Sequence, residues 1–171
     1  QLIDFLKKED FNITLRPHPD TLRLNPKSIK NLLKYFKNDK NVIYDPKISS
    51  INSYLDNDIL ISDWSGAAFE FAFGSLKPVI FLDLPKKINN KKYNILKNKP
   101  VEIEMRGLIG KIVKQENLKN IGNIVKTMVK EKFEWKKKLL HLRNKKIYNL
   151  SKSGKIGSEF ISNYLKSNRF N

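Results

Sequence analysis

Short, nearly continuous apolar runs alternate with segments of helical periodicity through the first two thirds of the chain. A helix-like segment is already under way at Leu2 to Lys8. Phe11 to Leu15 (FNITL) then predicts a strand running into the polar turn Arg16-Pro17-His18-Pro19. From Lys27 to Phe36 the apolar residues Ile29, Leu32, Leu33 and Phe36 fall on one side of a helix, with Pro26 in its first turn. Asn41 to Tyr44 predicts a short strand, Ser50 to Leu55 a short helix, and Ile59-Leu60-Ile61 a buried strand that leads into Ser62-Asp63-Trp64-Ser65-Gly66. The helix predicted from Ala67 to Phe73 is stopped by Gly74, and Pro78 to Leu82 (PVIFL) is another fully apolar strand.

Strands that are apolar along their whole length are buried on both faces. Alternated with helices, they predict an α/β fold with a Rossmann-like parallel sheet and flanking helices. Such sheets bind ligands at the carboxyl ends of their strands. The clusters RPHP and SDWS both follow predicted strands directly. Asn89 to Pro100 is polar and basic, a surface loop, and Val101 to Met105 is expected as a last short strand. Beyond it the pattern is helical: about Glu116 to Lys130, Lys132 to about Ile147, and Ser153 to Leu165. The expected organisation is one domain over 1–171, with an α/β core at 1–115 and a basic helical segment at 116–171.

Size and composition narrow the class without naming a function. A chain of 171 residues, 40% hydrophobic and 30% charged, is long enough for one domain with a real core. There is no cysteine, which removes disulfides, Cys-ligated zinc and a thiol nucleophile. No apolar run approaches the roughly 20 residues that span a bilayer. The chain opens on Gln1 rather than methionine, and reads as a fragment of a larger protein.

Charge is the loudest bulk feature: 34 Lys plus Arg against 17 Asp plus Glu, a net of +17. Such a surface favours anionic partners, whether phosphate-bearing polymers, anionic headgroups or nucleotides. No finger spacing, RNP-like aromatic pair or helix-turn-helix pattern points to nucleic acid. Lys130 to Lys146 (KEKFEWKKKLLHLRNKK) is both basic and amphipathic. It fits a packed helix with a solvated lysine face, and equally a helix lying on a membrane surface.

Two clusters carry candidate chemistry. In the first, Ser65 is placed to cap a helix whose first turn, Gly66, Ala67 and Ala68, has almost no side-chain bulk. A helix N-terminus offers unpaired N–H groups and a positive dipole end, and small residues let a phosphate approach them. The hydroxyls of Ser62 and Ser65 can donate to the same oxygens; the plainer reading is N-capping by Ser65 alone. Asp63 would repel a phosphate unless it faces a basic residue, holds a backbone N–H or binds a divalent cation. Glu70, further along the helix, reaches ribose hydroxyls if it faces the cleft and is an ordinary surface glutamate if it does not.

In the second cluster, prolines 17 and 19 stiffen the backbone around His18. A histidine beside a phosphate can donate to a phosphoryl oxygen or a leaving group, and Arg16 can add a bidentate contact. Lys86 and Lys87 follow the PVIFL strand and reach the same edge, although isolated lysines are usually solvated. His141 lies in the basic helix, and two histidines so far apart do not suggest a histidine-rich metal centre. Neither P-loop, GxGxxG, HExxH nor GxSxG occurs, which removes the commonest NTPase, dehydrogenase, metalloprotease and hydrolase readings.

At these same residues the chain resembles the CDP-glycerol glycerophosphotransferases of teichoic-acid-type polymer synthesis. The likeness runs from Arg16-Pro17-His18-Pro19, through Ser50 to Leu55 and ILISDWSGAAFEFAFGSLKPVIFLDLP (Ile59 to Pro85), to Asn94. The resemblance implies a GT-B enzyme, with this chain as its C-terminal, donor-binding domain and an acceptor-side domain before Gln1. It implies CDP-glycerol as donor, a cell-wall, capsule or lipid-linked polymer as acceptor, and CMP as product. His18 would contact the pyrophosphate or stabilise the departing phosphate. Ser62 and Ser65, with the N–H groups at Gly66 and Ala67, would hold the pyrophosphate, and Arg16 and Glu70 would support the phosphate or nucleoside end. The family's general base belongs to the other domain, so this chain is expected to bind donor without turning it over. The place of work would be cytoplasmic, at the inner face of the cell membrane. A nucleotide-sugar glycosyltransferase and a non-catalytic module that binds anionic polymer are the competing readings.

Overall fold

The computed structural model describes residues 1–46, 51–86, 88, 90, 92–95 and 99–167. Its central strand, β4 (Val79–Leu82), shows why a continuous apolar run is needed. Val79 and Phe81 enter one hydrophobic cluster and Ile80 the other. With side chains alternating between the two faces, both faces of β4 must be covered by helices. β3 (Leu60–Ser62) and β5 (Gly110–Val113) flank β4 in parallel, with Ile61 opposite Ile80 and Gly110 opposite Val79.

A second parallel pair, β1 (Ile13–Leu15) and β2 (Val42–Tyr44), aligns Ile13 with Val42. Residues of β1 and β3 face each other across a cavity of about 490 Å³. The strands form two separate sheets, β1–β2 and β3–β4–β5, and this cavity is the seam between them. The parallel α/β class expected from the strand pattern is what the chain adopts.

One face of the β3–β4–β5 sheet is covered by α5 (Ala67–Ser75), α6 (Val101–Ile109) and α8 (Lys132–Lys146). Ala68, Phe71, Ala72, Met105, Ile109 and Leu139 pack there on Val79 and Phe81. The opposite face carries α1 (Leu2–Lys7) and α7 (Ile121–Lys130), through Leu6, Ile121, Val125 and Met128, with Trp135 of α8 beside them. α1 is stitched to its surroundings by ion pairs from Glu9 to Lys126 and from Lys7 to Asp39. α8 is thus a packed helix whose lysines face solvent: Trp135 and Leu139 are buried, while Lys136, Lys137 and Lys138 are exposed. Among the described residues no helix is long and apolar enough to cross a membrane.

Several elements differ from the sequence-based expectation. Val101 to Met105 is helical, the start of α6, and the last strand is Gly110–Val113. The alternation of Val101, Ile103 and Met105 with glutamates imitates a strand, but the buried residues are Met105, Arg106 and Ile109, a helical stripe. α5 runs through Gly74 and closes at Leu76 in the left-handed conformation (φ 56°). The RPHP turn does not remain a turn, since His18 caps a short helix, α2 (Pro19–Leu24), ahead of α3 (Pro26–Tyr35). Residues 115–120 form a 3-10 turn before α7. The helix expected from Ser50 is α4 (Asn52–Asp56), and Ser50 itself lies outside the described residues. The final helix is α9 (Ser153–Ser167).

Candidate functional site

The carboxyl ends of β1 and β3 stand on either side of the seam, and each carries one of the two polar clusters. Ser62 is the last residue of β3, not the first after it, and is paired with Phe81. The chain then bends at Asp63 and Trp64 and enters α5. Ser65 caps that helix: its Oγ accepts from the Ala67 N–H at 3.3 Å, and its carbonyl accepts from the Ala68 N–H at 3.2 Å. The Ala67 N–H expected to hold a phosphate is therefore engaged by Ser65, while the exposed Gly66 keeps its N–H without a protein partner among the described residues.

Gly66 has an ordinary right-handed backbone (φ −59°), and a Cβ added to it would meet nothing within 4 Å. Neither conformation nor packing demands a glycine there. Its effect is to leave the approach to its own N–H clear. Ala68 has a different reason to be small, because it is fully buried against the core.

On the other side of the seam, the Nδ1 of His18 accepts from the Asp20 backbone N–H at 3.1 Å. In the neutral ring this leaves the proton on Nε2, the atom free to donate away from α2. The His18 side chain is 62% exposed, so that donor faces solvent. Arg16 reaches α4 instead: one guanidinium nitrogen donates to Ser53 Oγ at 2.8 Å, and its Cζ lies 5.1 Å from the centre of the Tyr54 ring. Tyr54 packs edge-on against Phe71 of α5 at 5.6 Å. Burial pushes its phenol above the usual range, Arg16 opposes that, and Glu70 adds to it. Tyr54 is thus the point at which Arg16 from β1 and Glu70 from α5 come within electrostatic reach of a common group.

Lys77 also proves to have a task. Its ammonium donates to the carbonyls of Leu55 at 2.6 Å and Asn57 at 2.8 Å, closing the carboxyl end of α4. This fixes the helix that carries Ser53 and Tyr54, and gives the Lys-Pro pair before β4 a structural meaning. Lys86 is exposed and Lys87 lies outside the described residues; His141 is exposed on α8. Among the described residues no three His, Asp or Glu side chains gather as a donor set for a cation.

The residue the sequence did not disclose is Arg106, in α6. Its guanidinium lies 3.7 Å from the centre of the Trp64 ring, and one of its nitrogens donates to the Leu82 carbonyl at 3.0 Å. Asp83 Oδ1 stands 4.0 Å away, and Asp63 is also near enough to act on its charge. Burial pulls Arg106 below the usual guanidinium range, and Asp83 and Asp63 push it back up. A basic residue behind the loop is one of the conditions under which Asp63 can sit beside a phosphate. An arginine within the stripe Met105, Arg106, Ile109 was the available signal, hidden by reading that stretch as a strand.

The profile of the family described as CDP-Glycerol:Poly(glycerophosphate) glycerophosphotransferase matches residues 1–151, which leaves α9 beyond the match. Over 91 residues the chain is 32% identical to the minor teichoic acid biosynthesis protein GgaB of Bacillus subtilis (strain 168). That match covers 53% of this chain and 9% of GgaB, so the chain spans only a small part of that relative's length. No solved structure matches the chain.

Proposed function

The chain belongs to the CDP-glycerol:poly(glycerophosphate) glycerophosphotransferase family, and from that premise we propose that it is the donor-binding part of an enzyme that moves glycerol phosphate from CDP-glycerol to a polymer hydroxyl. The observation that carries this reading is the seam. Arg16 and His18 follow β1, Ser62 ends β3, and Ser65 and Gly66 lead into α5, so both clusters lie at the carboxyl edge of strands that border the cavity. That edge is where open parallel sheets bind nucleotides.

The donor's pyrophosphate would lie against the Gly66 N–H and the hydroxyls of Ser62 and Ser65, at the positive end of α5. His18 would donate from Nε2 to a phosphoryl oxygen as negative charge grows on the leaving CMP. Arg16 and Glu70 would support the phosphate or nucleoside end. In the reaction an acceptor hydroxyl oxygen forms a bond to the β-phosphorus, the bond from that phosphorus to the bridging oxygen breaks, and CMP departs with the electron pair. The hydroxyl proton passes to a base outside this chain, in the acceptor-side domain of a GT-B pair. The work asked of these residues is positioning and neutralisation of charge, as in phosphoryl transfer generally. A net charge of +17 supports a polyanionic or lipid-linked acceptor and work at the inner membrane face.

Calorimetric titration with CDP-glycerol, CMP, UDP and a UDP-sugar tests this reading. Cytidine ligands are expected to bind more tightly than uridine ligands, and His18→Ala and Ser65→Ala are each expected to weaken them. A preference for the uridine ligands would point to a glycosyltransferase, and binding of none would remove the donor site.

A further inference from the structure

Arg106 differs from every other cation of this basic chain. It is 3% exposed, and among the described residues it is the one buried charged side chain. Removing a guanidinium from water is expensive, and an apolar side chain of similar volume would fill the same space without that penalty. Its surroundings are also specific. The guanidinium lies 3.7 Å from the centre of the Trp64 ring and 5.0 Å from that of Phe81, donates to the Leu82 carbonyl and has Asp83 Oδ1 at 4.0 Å. Its Nε has no hydrogen-bond partner among the described residues, so satisfying its own donors does not explain the placement. Trp64 is held by a second contact, its indole N–H donating to the Leu84 carbonyl at 2.8 Å.

These contacts converge on one short stretch of backbone. Trp64 sits between Ser62 and Ser65, and an indole clamped on its face by a guanidinium and at its edge by a carbonyl cannot turn without carrying its own peptide units. We propose that Arg106 is the positioning residue of the Ser62–Ser65 loop, locking the Trp64 indole so that the two serine hydroxyls and the Gly66 N–H share one anion. The inference rests on the reading of that loop as the pyrophosphate site. A planar cation suits the task, because it stacks on a ring while its edge bonds a carbonyl; an ammonium does not do both.

The test uses Trp64 as its own reporter, in a Trp135→Phe background that leaves it the sole tryptophan. Arg106→Lys is compared with Trp64→Leu and with Leu139→Ala, a core truncation on α8. CDP-glycerol affinity and thermal midpoint are read for every protein, and acrylamide quenching of Trp64 for those that retain the indole. Arg106→Lys is expected to lower affinity about tenfold or more and to open Trp64 to quencher, with a smaller drop in midpoint than Leu139→Ala. Trp64→Leu is expected to lose affinity to a similar degree, which keeps the inference testable if Arg106→Lys does not fold. Unchanged affinity in a folded Arg106→Lys or Trp64→Leu protein overturns the inference alone. So does an affinity loss that merely follows the midpoint across all three variants. If the background protein itself binds no cytidine ligand, the underlying reading of the loop falls with it.

Discussion

The two rims of the seam hold their polar residues by opposite means. At the end of β3 the loop is backed by the core: Trp64 is clamped by Arg106 and Leu84, and β3 itself is paired to β4. At the end of β1 the backing is local. His18 is fixed by the prolines beside it and by the Asp20 N–H, and Arg16 by α4, which Lys77 closes in turn. One rim is rigid because tertiary packing makes it so, and the other because its own sequence is stiff. Residues of the first rim should therefore couple strongly to global stability, and those of the second hardly at all.

That contrast can be broken most forcefully at β4. Phe81→Ala empties the centre of the cluster beneath the β3 rim and is expected to cost about 3–5 kcal/mol by denaturant unfolding. Ile13→Ala, on the half-buried β1, is expected to cost distinctly less, and equal costs would erase the distinction. Next comes Gly110→Ala. An added Cβ would stand 1.8 Å from the Val79 carbonyl oxygen, a backbone atom of the central strand, so a loss of about 1–3 kcal/mol is expected.

His18→Ala sharpens the comparison from the other side. It should cost about 1 kcal/mol or less, the scale of a lost helix cap, yet weaken CDP-glycerol about tenfold through loss of a hydrogen bond to a charged group. His18→Asn restores a cap for α2 without the Nε2 donor, and should bind no better than the alanine variant in the same titration.

The smallest effect belongs to the Lys7–Asp39 pair, which ties α1 to the β2 side. The Lys7 hydrogen bond, opposed by burial, holds the Asp39 carboxyl below its ordinary range. Its contribution is present above the ordinary carboxylate pKa and is lost as pH falls through the lower folded value. Lys7 is raised by the same bond, so its share is kept below the ordinary lysine value and lost only as pH rises through the higher folded one. Asp39→Asn should therefore lower the thermal midpoint slightly near pH 7 and converge on the parent protein as pH falls, so that its acid-side fall is shallower.

The sequence disclosed those parts of the molecule whose burial is uniform. β3 and β4 are legible because strands covered on both faces must be apolar throughout, and α3 because Pro26 and an apolar stripe mark it. β5 was not legible. Gly110 and Lys111 break its apolar run, and the glycine is there because β4 approaches too closely for a Cβ. α6 was mistaken for a strand because its exposed first turn alternates by chance. In the site, RPHP and SDWS stood out through position and residue type. Arg106 did not, since its meaning depends on Trp64, more than forty positions earlier.

Arg106 also fixes where this fold tolerates change in length. It comes from beyond the stretch that separates β4 from α6, yet it grips the Leu82 carbonyl, the point from which that stretch departs. Trp64 grips Leu84 just after it. Departure and return are thus fastened to one place. The span between the two anchors is where the fold is expected to accept a change of length. In engineering terms it is where a tag or a reporter domain can be spliced into the chain.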